Sequence, residues 1–341
     1  MRTFFKYFLA ASAFVALVFS AVSCGSGSSR KALLPNVSGR AGEVVVVIEK
    51  SDWESALGNS IRELLASDCP WLIPSEPLYS LANVTPAGFG DMFKVHRNIV
   101  LCQVDPQIQK AGVEIHSDVW ASPQVVVKIS AYTTDEACQL VEENKDIITS
   151  AIEQAERDRV VNNCIIYEEK EIAQKVETVF GGSPHFPVGY KLRKMTADFA
   201  WIAYEKQYSN QTILMYKYPA RGDSSDFTEE SIIAHRDSVM KMNVPGMFDG
   251  TYMTTSQYVI PDVQYMKYKG RSFAQTRGYW EVYNDYMGGP FVSHSFYSQD
   301  GKDIIVTEAF VYAPKYDKRQ LLRQVESILY SFAWKKEETK E

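Results

Sequence analysis

The chain lacks most of the marks by which a catalytic centre is read from sequence. None of its five histidines (His96, His116, His185, His235, His294) lies two or four residues from another, so no metal-binding pair is spelled out. No Cys-x-x-Cys occurs among Cys24, Cys69, Cys102, Cys138 and Cys164, which argues against a redox motif or a zinc ribbon. The nucleophile elbow GxSxG, the HExxH pair and the P-loop are absent. Gly88-Phe89-Gly90 lacks the third glycine of a dinucleotide fingerprint and reads as a turn. Basic blocks are missing too. The formal charge is −6, and the first 23 residues hold two bases and no acid, so the rest is more acidic still. That argues against nucleic acid as a partner and against a polybasic membrane patch. No cofactor or metal is expected from any of this.

What is present begins at the N-terminus. Arg2 and Lys6 precede an apolar run from Tyr7 to Val22, and small residues follow. This is the layout of a secretory signal peptide, assigned to residues 1–23. Ala21-Val22-Ser23-Cys24 resembles the bacterial lipobox, with Ala21 where Leu is usual. The resemblance implies that Cys24 is acylated and becomes the new N-terminus. Residues 24–42, rich in Gly and Ser at their start, read as a flexible tether. Several acyl chains on one cysteine hold a protein firmly at a bilayer where one chain would not. Plain secretion and an uncleaved helix are the competing readings; Phe4 to Val22 is close to the ~20 residues a span needs.

Beyond the tether the pattern is α+β, in two domains. The N-terminal domain, 43–180, reads β-α-β-β-α. "EVVVVIEK" (43–50), "NIVLCQVD" (98–105) and "QVVVKISAY" (124–132) are strand candidates. A helix over 53–66 has Ser51 or Asp52 as cap. Thr133 stands three residues before Glu136, a capping box. From 124 to 180 there is neither Gly nor Pro. One helix over 134–178 would run about 67 Å, so a break near Asn162-Asn163 or a projecting helix is expected. Glu153–Arg157 and Glu171–Lys175 are spaced to pair along it. Cys138 and Cys164 on one helix would lie ~39 Å apart. That leaves 69–138 with 102–164, or 69–164 with 102–138, or four free thiols.

"FGGSPHFPVGY" (180–190) separates this from a C-terminal domain, 181–335, and 336–341 is a charged tail. Strand signals dominate here, with hairpins expected at Lys269-Gly270 and Asp300-Gly301. One helix falls at about 228–242. Another follows Asp317 as cap, with Leu321, Leu322, Val325, Ile328, Leu329 and Phe332 along one stripe. The expected architecture is an antiparallel sheet with helices on one face.

Cys24, "SDVWASPQVVVKISA", "ERDR" in the long helix and "QLLRQVESILYSFAW" together resemble a family of uncharacterised Bacteroidetes lipoproteins carrying a domain of unknown function. The resemblance implies compartment and architecture and brings no catalytic residues. The C-terminal half also resembles PsbP-like sandwiches in its closing hairpin, helix and "SF". Surface-exported lipoproteins of that phylum carry acids soon after the cysteine. Here none precedes Glu43, which implies a periplasm-facing protein at the outer membrane.

One stretch invites a binding reading. "GYWEVYNDYMGGPF" packs aromatics among charges, and Arg277, Tyr279, Trp280, Tyr283, Asp285 and Tyr286 form a candidate surface for an envelope protein or a glycan. The expected function is therefore a lipid-anchored, non-catalytic binding or assembly module of the envelope. The alternative is an envelope hydrolase centred on His294 or His235 with a carboxylate placed by the fold. His235-Arg236-Asp237 otherwise reads as a solvated helix face, and an exposed apolar stripe along 134–178 would favour a scaffolding role.

Overall fold

In the N-terminal half, β1 (Glu43–Val47) is a run of valines with no polar alternation, the pattern of a strand covered on both faces. Val44 and Val46 face one core while Val45 and Val47 face another. The computed structural model describes residues 34–335. After β1 come α1 (Lys50–Trp53), α2 (Ala56–Leu65), β2 (Ser80–Val84), α3 (Asp91–Lys94), β3 (Asn98–Val104), β4 (Gly112–Ser117), β5 (Val125–Ala131), α4 (Thr134–Glu143) and α5 (Lys145–Ile166). The sheet order is β2-β1-β3-β5-β4, parallel except for β4. Helices α2, α4 and α5 cover one face, and Phe89, Phe93 and Trp120 pack on the other.

Local details differ from the sequence reading. Ser55, rather than Ser51 or Asp52, accepts the Leu57 N–H at 3.2 Å and caps α2. Thr133 accepts from the Glu136 N–H at 3.2 Å, while Glu136 reaches back to the Tyr132 N–H at 2.7 Å. The long helix is broken at Asn144 and again at 167–169, so Cys138 and Cys164 lie on different helices. The four described cysteines are free thiols; burial pushes Cys102 and Cys164 up to about 12. Glu171 pairs with Lys175 at 2.6 Å as spaced, but Glu153 bonds Arg323 instead of Arg157. Exposed apolar residues of α5 lie only at its ends, Ile147 and Ile165-Ile166, and form no continuous stripe.

The C-terminal half contains α6 (Lys170–Phe180), β6 (Gly182–Ser183), β7 (Lys191–Met195), β8 (Phe199–Lys206), β9 (Ser209–Pro219), α7 (Glu229–Asn243), β10 (Met253–Thr255), β11 (Asp262–Tyr268), β12 (Arg271–Val282), β13 (Gly288–Tyr297), β14 (Asp303–Tyr312), α8 (Arg319–Tyr330) and β15 (Ala333–Trp334). Its large sheet runs β10-β12-β13-β14-β9-β8-β7, antiparallel throughout, with β11 beside β12. Lys269 (φ 46°) and Gly270 (φ 85°) make the two-residue turn with both central residues left-handed. Asp300-Gly301 instead sits in a five-residue loop, 298–302, with only Gly301 left-handed. Helices α6 and α8 pack on one face of this sheet. α7 covers the other, so the helices are not confined to one face as expected. The α+β class holds for both halves.

The two halves are fastened together. Asp317 does not cap α8; Glu76 does, taking the Lys318 and Arg319 N–H groups at 2.6 and 2.9 Å from 242 and 243 residues away. Residues 36–42, expected as tether, are laid along the domain through bridges from Asn36 to Ser122 and Ser38 to His96. Gly42 (φ +70°) lets this segment press on α8, where a Cβ would meet Gln320 Nε2 at 1.9 Å. The signal peptide, Cys24 and the charged tail lie outside the described residues. No helix among the described residues is long and apolar enough to cross a membrane.

Candidate functional site

A cleft of about 490 Å³ opens where α5 and the start of β3 meet α8 and the strands β8 and β9. Its polar lining comes from elements that neither half could supply alone. Arg97, just before β3, and Glu156 and Arg159 on α5 stand on one side. Gln320, Arg323 and Gln324 project from α8, with Tyr204 and Gln211 beside them.

Most of these groups are saturated. Glu156, almost fully enclosed, accepts from Asn98 Nδ2 at 2.7 Å and the Gly42 N–H at 3.3 Å and forms an ion pair with Arg159 Nη1 at 3.1 Å. Arg159 also donates to the carbonyls of Pro123 (2.9 Å) and Arg97 (2.7 Å) and to Asn98 Oδ1 (3.0 Å). Burial pulls Arg159 down to about 10, against the opposing pull of Glu156. Arg323 holds Glu153 at 2.7 and 3.3 Å and the Leu78 carbonyl at 3.2 Å. Burial pushes the Glu153 carboxyl up, but the charge and hydrogen bonds of Arg323, with the Tyr79 hydroxyl, outweigh it and leave the pKa below the ordinary value.

Arg97 is the exception. Its Nε comes no nearer than 3.6 Å to Glu156, outside hydrogen-bond range, and is enclosed without an acceptor. Its side chain donates no hydrogen bond to any described residue, although it is only 16% exposed. Gln320 Nε2 is likewise enclosed without an acceptor. Three guanidiniums against Glu156 and Glu153 leave the cleft with one positive charge in excess. Such a cleft is suited to receive an anionic, hydrogen-bond-accepting group.

The aromatic surface expected on 277–286 is not one surface. Strand alternation sends Arg277 toward α8, where it pairs with Glu326. Trp280 goes to the opposite face, 1% exposed and edge-on to Phe310 at 5.2 Å. Tyr283, on the turn beyond β12, stacks on Tyr252 at 5.0 Å. Asp285 accepts the Tyr286 N–H at 2.6 Å, the Tyr286 ring stands free in solvent, and Tyr279 is half-buried.

The histidines expected of a hydrolase lack their partners. His294 is fully enclosed between Phe273 and Tyr330; it faces Gln275 at 3.2 Å and no carboxylate among the described residues. Burial, reinforced by Arg271, Arg277 and Arg157, holds it well below its ordinary pKa. His235 stacks on Tyr218 at 4.0 Å and bonds the Ser231 carbonyl within its own helix. Its neighbour Arg236 is not solvated but wholly buried against Glu308, at 2.8 Å through Nη2 and 3.0 Å through Nε. No group of three metal-ligating side chains occurs among the described residues.

Residues 37–164 match the model of a domain of unknown function (DUF8532), and residues 169–331 match that of another (DUF4837). Two adjoining stretches of the chain thus match models of domains of unknown function, and the matches meet where α5 ends. The comparison with curated proteins finds no match. Among solved structures, the chain is similar to the Saccharomyces cerevisiae Ran-binding protein Mog1p, at 9% identity and a TM-score of 0.31, over 45% of this chain and 90% of that one. It is also similar to a STAR-related lipid transfer protein of Xanthomonas axonopodis, at 12% identity and 0.22, over 42% and 96%. The lipid transfer and protein localization domain of human StarD13 aligns at 9% and 0.23, over 48% and 95%. At these scores the likenesses carry no argument about function, and the PsbP-like resemblance is left without support.

Proposed function

We propose that this protein is a non-catalytic binding module of the cell envelope, anchored by acyl chains on Cys24 and facing the periplasm. Its ligand is a small acidic sugar held in the cleft between its two domains. The leader pattern and the cysteine that follows it support the anchor. One observation carries the ligand class: Arg97 lines the cleft with its hydrogen-bonding capacity unused, while Arg159 and Arg323 beside it are saturated. A carboxylate there gains a charge-assisted bond without displacing a native one. The Gln211 Oε1 and the amide N–H groups of Gln324, which the described residues leave unused, suit the hydroxyls of a sugar.

The test is calorimetric titration of the full chain with galacturonate, and with galactose as the uncharged control. Galacturonate binds and galactose does not, and Arg97→Met weakens galacturonate by about tenfold, the worth of one charged hydrogen bond. Equal binding by wild type and Arg97→Met, or no saturable binding of galacturonate, overturns the ligand assignment. The anchor is tested separately, by cell fractionation and intact mass of wild type and Cys24→Ala. A soluble wild type with an unmodified Cys24 refutes it.

A further inference from the structure

A second cavity lies on the other face of the C-terminal sheet, among β9, β10, β12 and β14, with a volume of about 310 Å³. None of its lining residues is charged. Met247, Met253 and Met287 supply soft, adaptable walls, and Trp280 and Phe310 form much of the base. Gly289 makes room for that base, since a Cβ there would stand 3.0 Å from Trp280 Nε1 and 2.1 Å from the Val311 carbonyl. Asn210 and Tyr312 are direct partners across β9 and β14, so their side chains share one end of the cavity. Asn210 Oδ1 is taken by Thr212 at 2.8 Å, while the Asn210 amide N–H groups and the Tyr312 hydroxyl donate to no described residue. The indole N–H groups of Trp201 and Trp280 also lack acceptors, so the wall carries donors without a matching acceptor. Met247, which lines the cavity, is 76% exposed, and its chain neighbour Phe248 is 62% exposed. A hydrogen bond from the Tyr283 N–H to the Tyr252 carbonyl ties their turn to the one carrying Tyr286.

We propose that this cavity binds a single aliphatic acyl chain, with its carboxyl or carbonyl head taken by Tyr312 and Asn210. An uncharged, methionine-lined wall matches a flexible hydrocarbon, and an end with unused donors matches an acceptor head. The exposed apolar mouth is the approach for such a chain. The site is separate from the interdomain cleft and does not depend on the sugar reading.

The probe is laurate, titrated calorimetrically and by tryptophan fluorescence into the full chain carrying Cys24→Ser, so that no protein-borne acyl chain competes. Laurate binds once per chain and alters the tryptophan emission. Tyr312→Phe weakens it by about fivefold, one hydrogen bond's worth. Met247→Arg, at an exposed position, weakens it further by placing a charge at the mouth. Arg97→Met leaves it unchanged. Absence of saturable binding overturns the proposal, as does binding that both cavity variants leave intact. Loss of binding in Arg97→Met alone also overturns it, because laurate would then be using its carboxylate in the other cleft.

Discussion

Glu76 offers the sharpest test of how the two domains are joined. Helix α8 begins at Arg319 behind Lys318, whose side chain provides no cap. The first N–H groups of a helix have no partner within it. Here the Glu76 carboxylate takes two of them, at 2.6 and 2.9 Å, and does so at a buried position. Loss of a side-chain cap costs about 0.5–2 kcal/mol. Hydrogen bonds to a charged group contribute about 1.5–3 kcal/mol each when they cannot be replaced. Arg319 is half-exposed, so water recovers part of the second bond. The expected cost of Glu76→Ala is therefore about 2–3 kcal/mol, between a surface cap and two fully buried charged bonds. Glu76→Gln keeps one acceptor and loses the charge that faces the helix dipole, so about 1 kcal/mol is expected. Urea unfolding followed by far-ultraviolet dichroism measures both, with an unchanged m value showing that the native state is intact. A Glu76→Ala protein within about 0.5 kcal/mol of wild type would refute the idea that α8 is capped from the other domain.

Three further expectations follow from the same ties. Gly42→Ala should destabilise by about 1–3 kcal/mol, because a non-glycine residue is strained at φ +70° and its Cβ meets Gln320 and Arg323; an unchanged melting temperature would contradict this. The folded-state pKa of Glu153 is depressed, so its contribution is present above its unfolded value of about 4.3 and fades as pH falls through the lower folded value. Glu153→Gln should be less stable than wild type at neutral pH and lose less on acidification below about pH 4, and parallel stability–pH curves would rule the linkage out. Breaking the enclosed Arg236–Glu308 pair by Glu308→Gln should cost about 3–5 kcal/mol, whereas Arg236→Met with Glu308→Leu should recover most of it. If the double variant is as unstable as the single one, the penalty is not that of an unpaired buried charge.

Several elements were legible because their information is local. The valines of β1, the hydrophobic runs of β3 and β5, the Thr133 cap and the apolar stripe of α8 are all written within a few residues. The edge strands β2 and β4 were missed. Both are largely exposed and carry no apolar run, although Val113 and Ile115 alternate with Glu114 and His116 and could have been read as a strand. Lys269-Gly270 announced its turn because both residues must be left-handed, while at Asp300-Gly301 loop length decided otherwise.

The candidate sites divide along the same line. Sequence alone set the leader pattern and Cys24, the α+β class, the excess of acids and the absence of catalytic motifs. Tertiary structure alone decided that Glu76 caps α8 and that Glu153 turns from Arg157 to Arg323. It alone buried Arg236 and left Arg97 in the cleft within ion-pair reach of Glu156 but with its Nε lacking a hydrogen-bond acceptor. The physical reason is range. Hydrophobic periodicity and capping act between residues a turn or a pleat apart. A buried charge or a cleft depends on which distant groups the packed domains bring within hydrogen-bond reach, here across as many as 243 residues of chain.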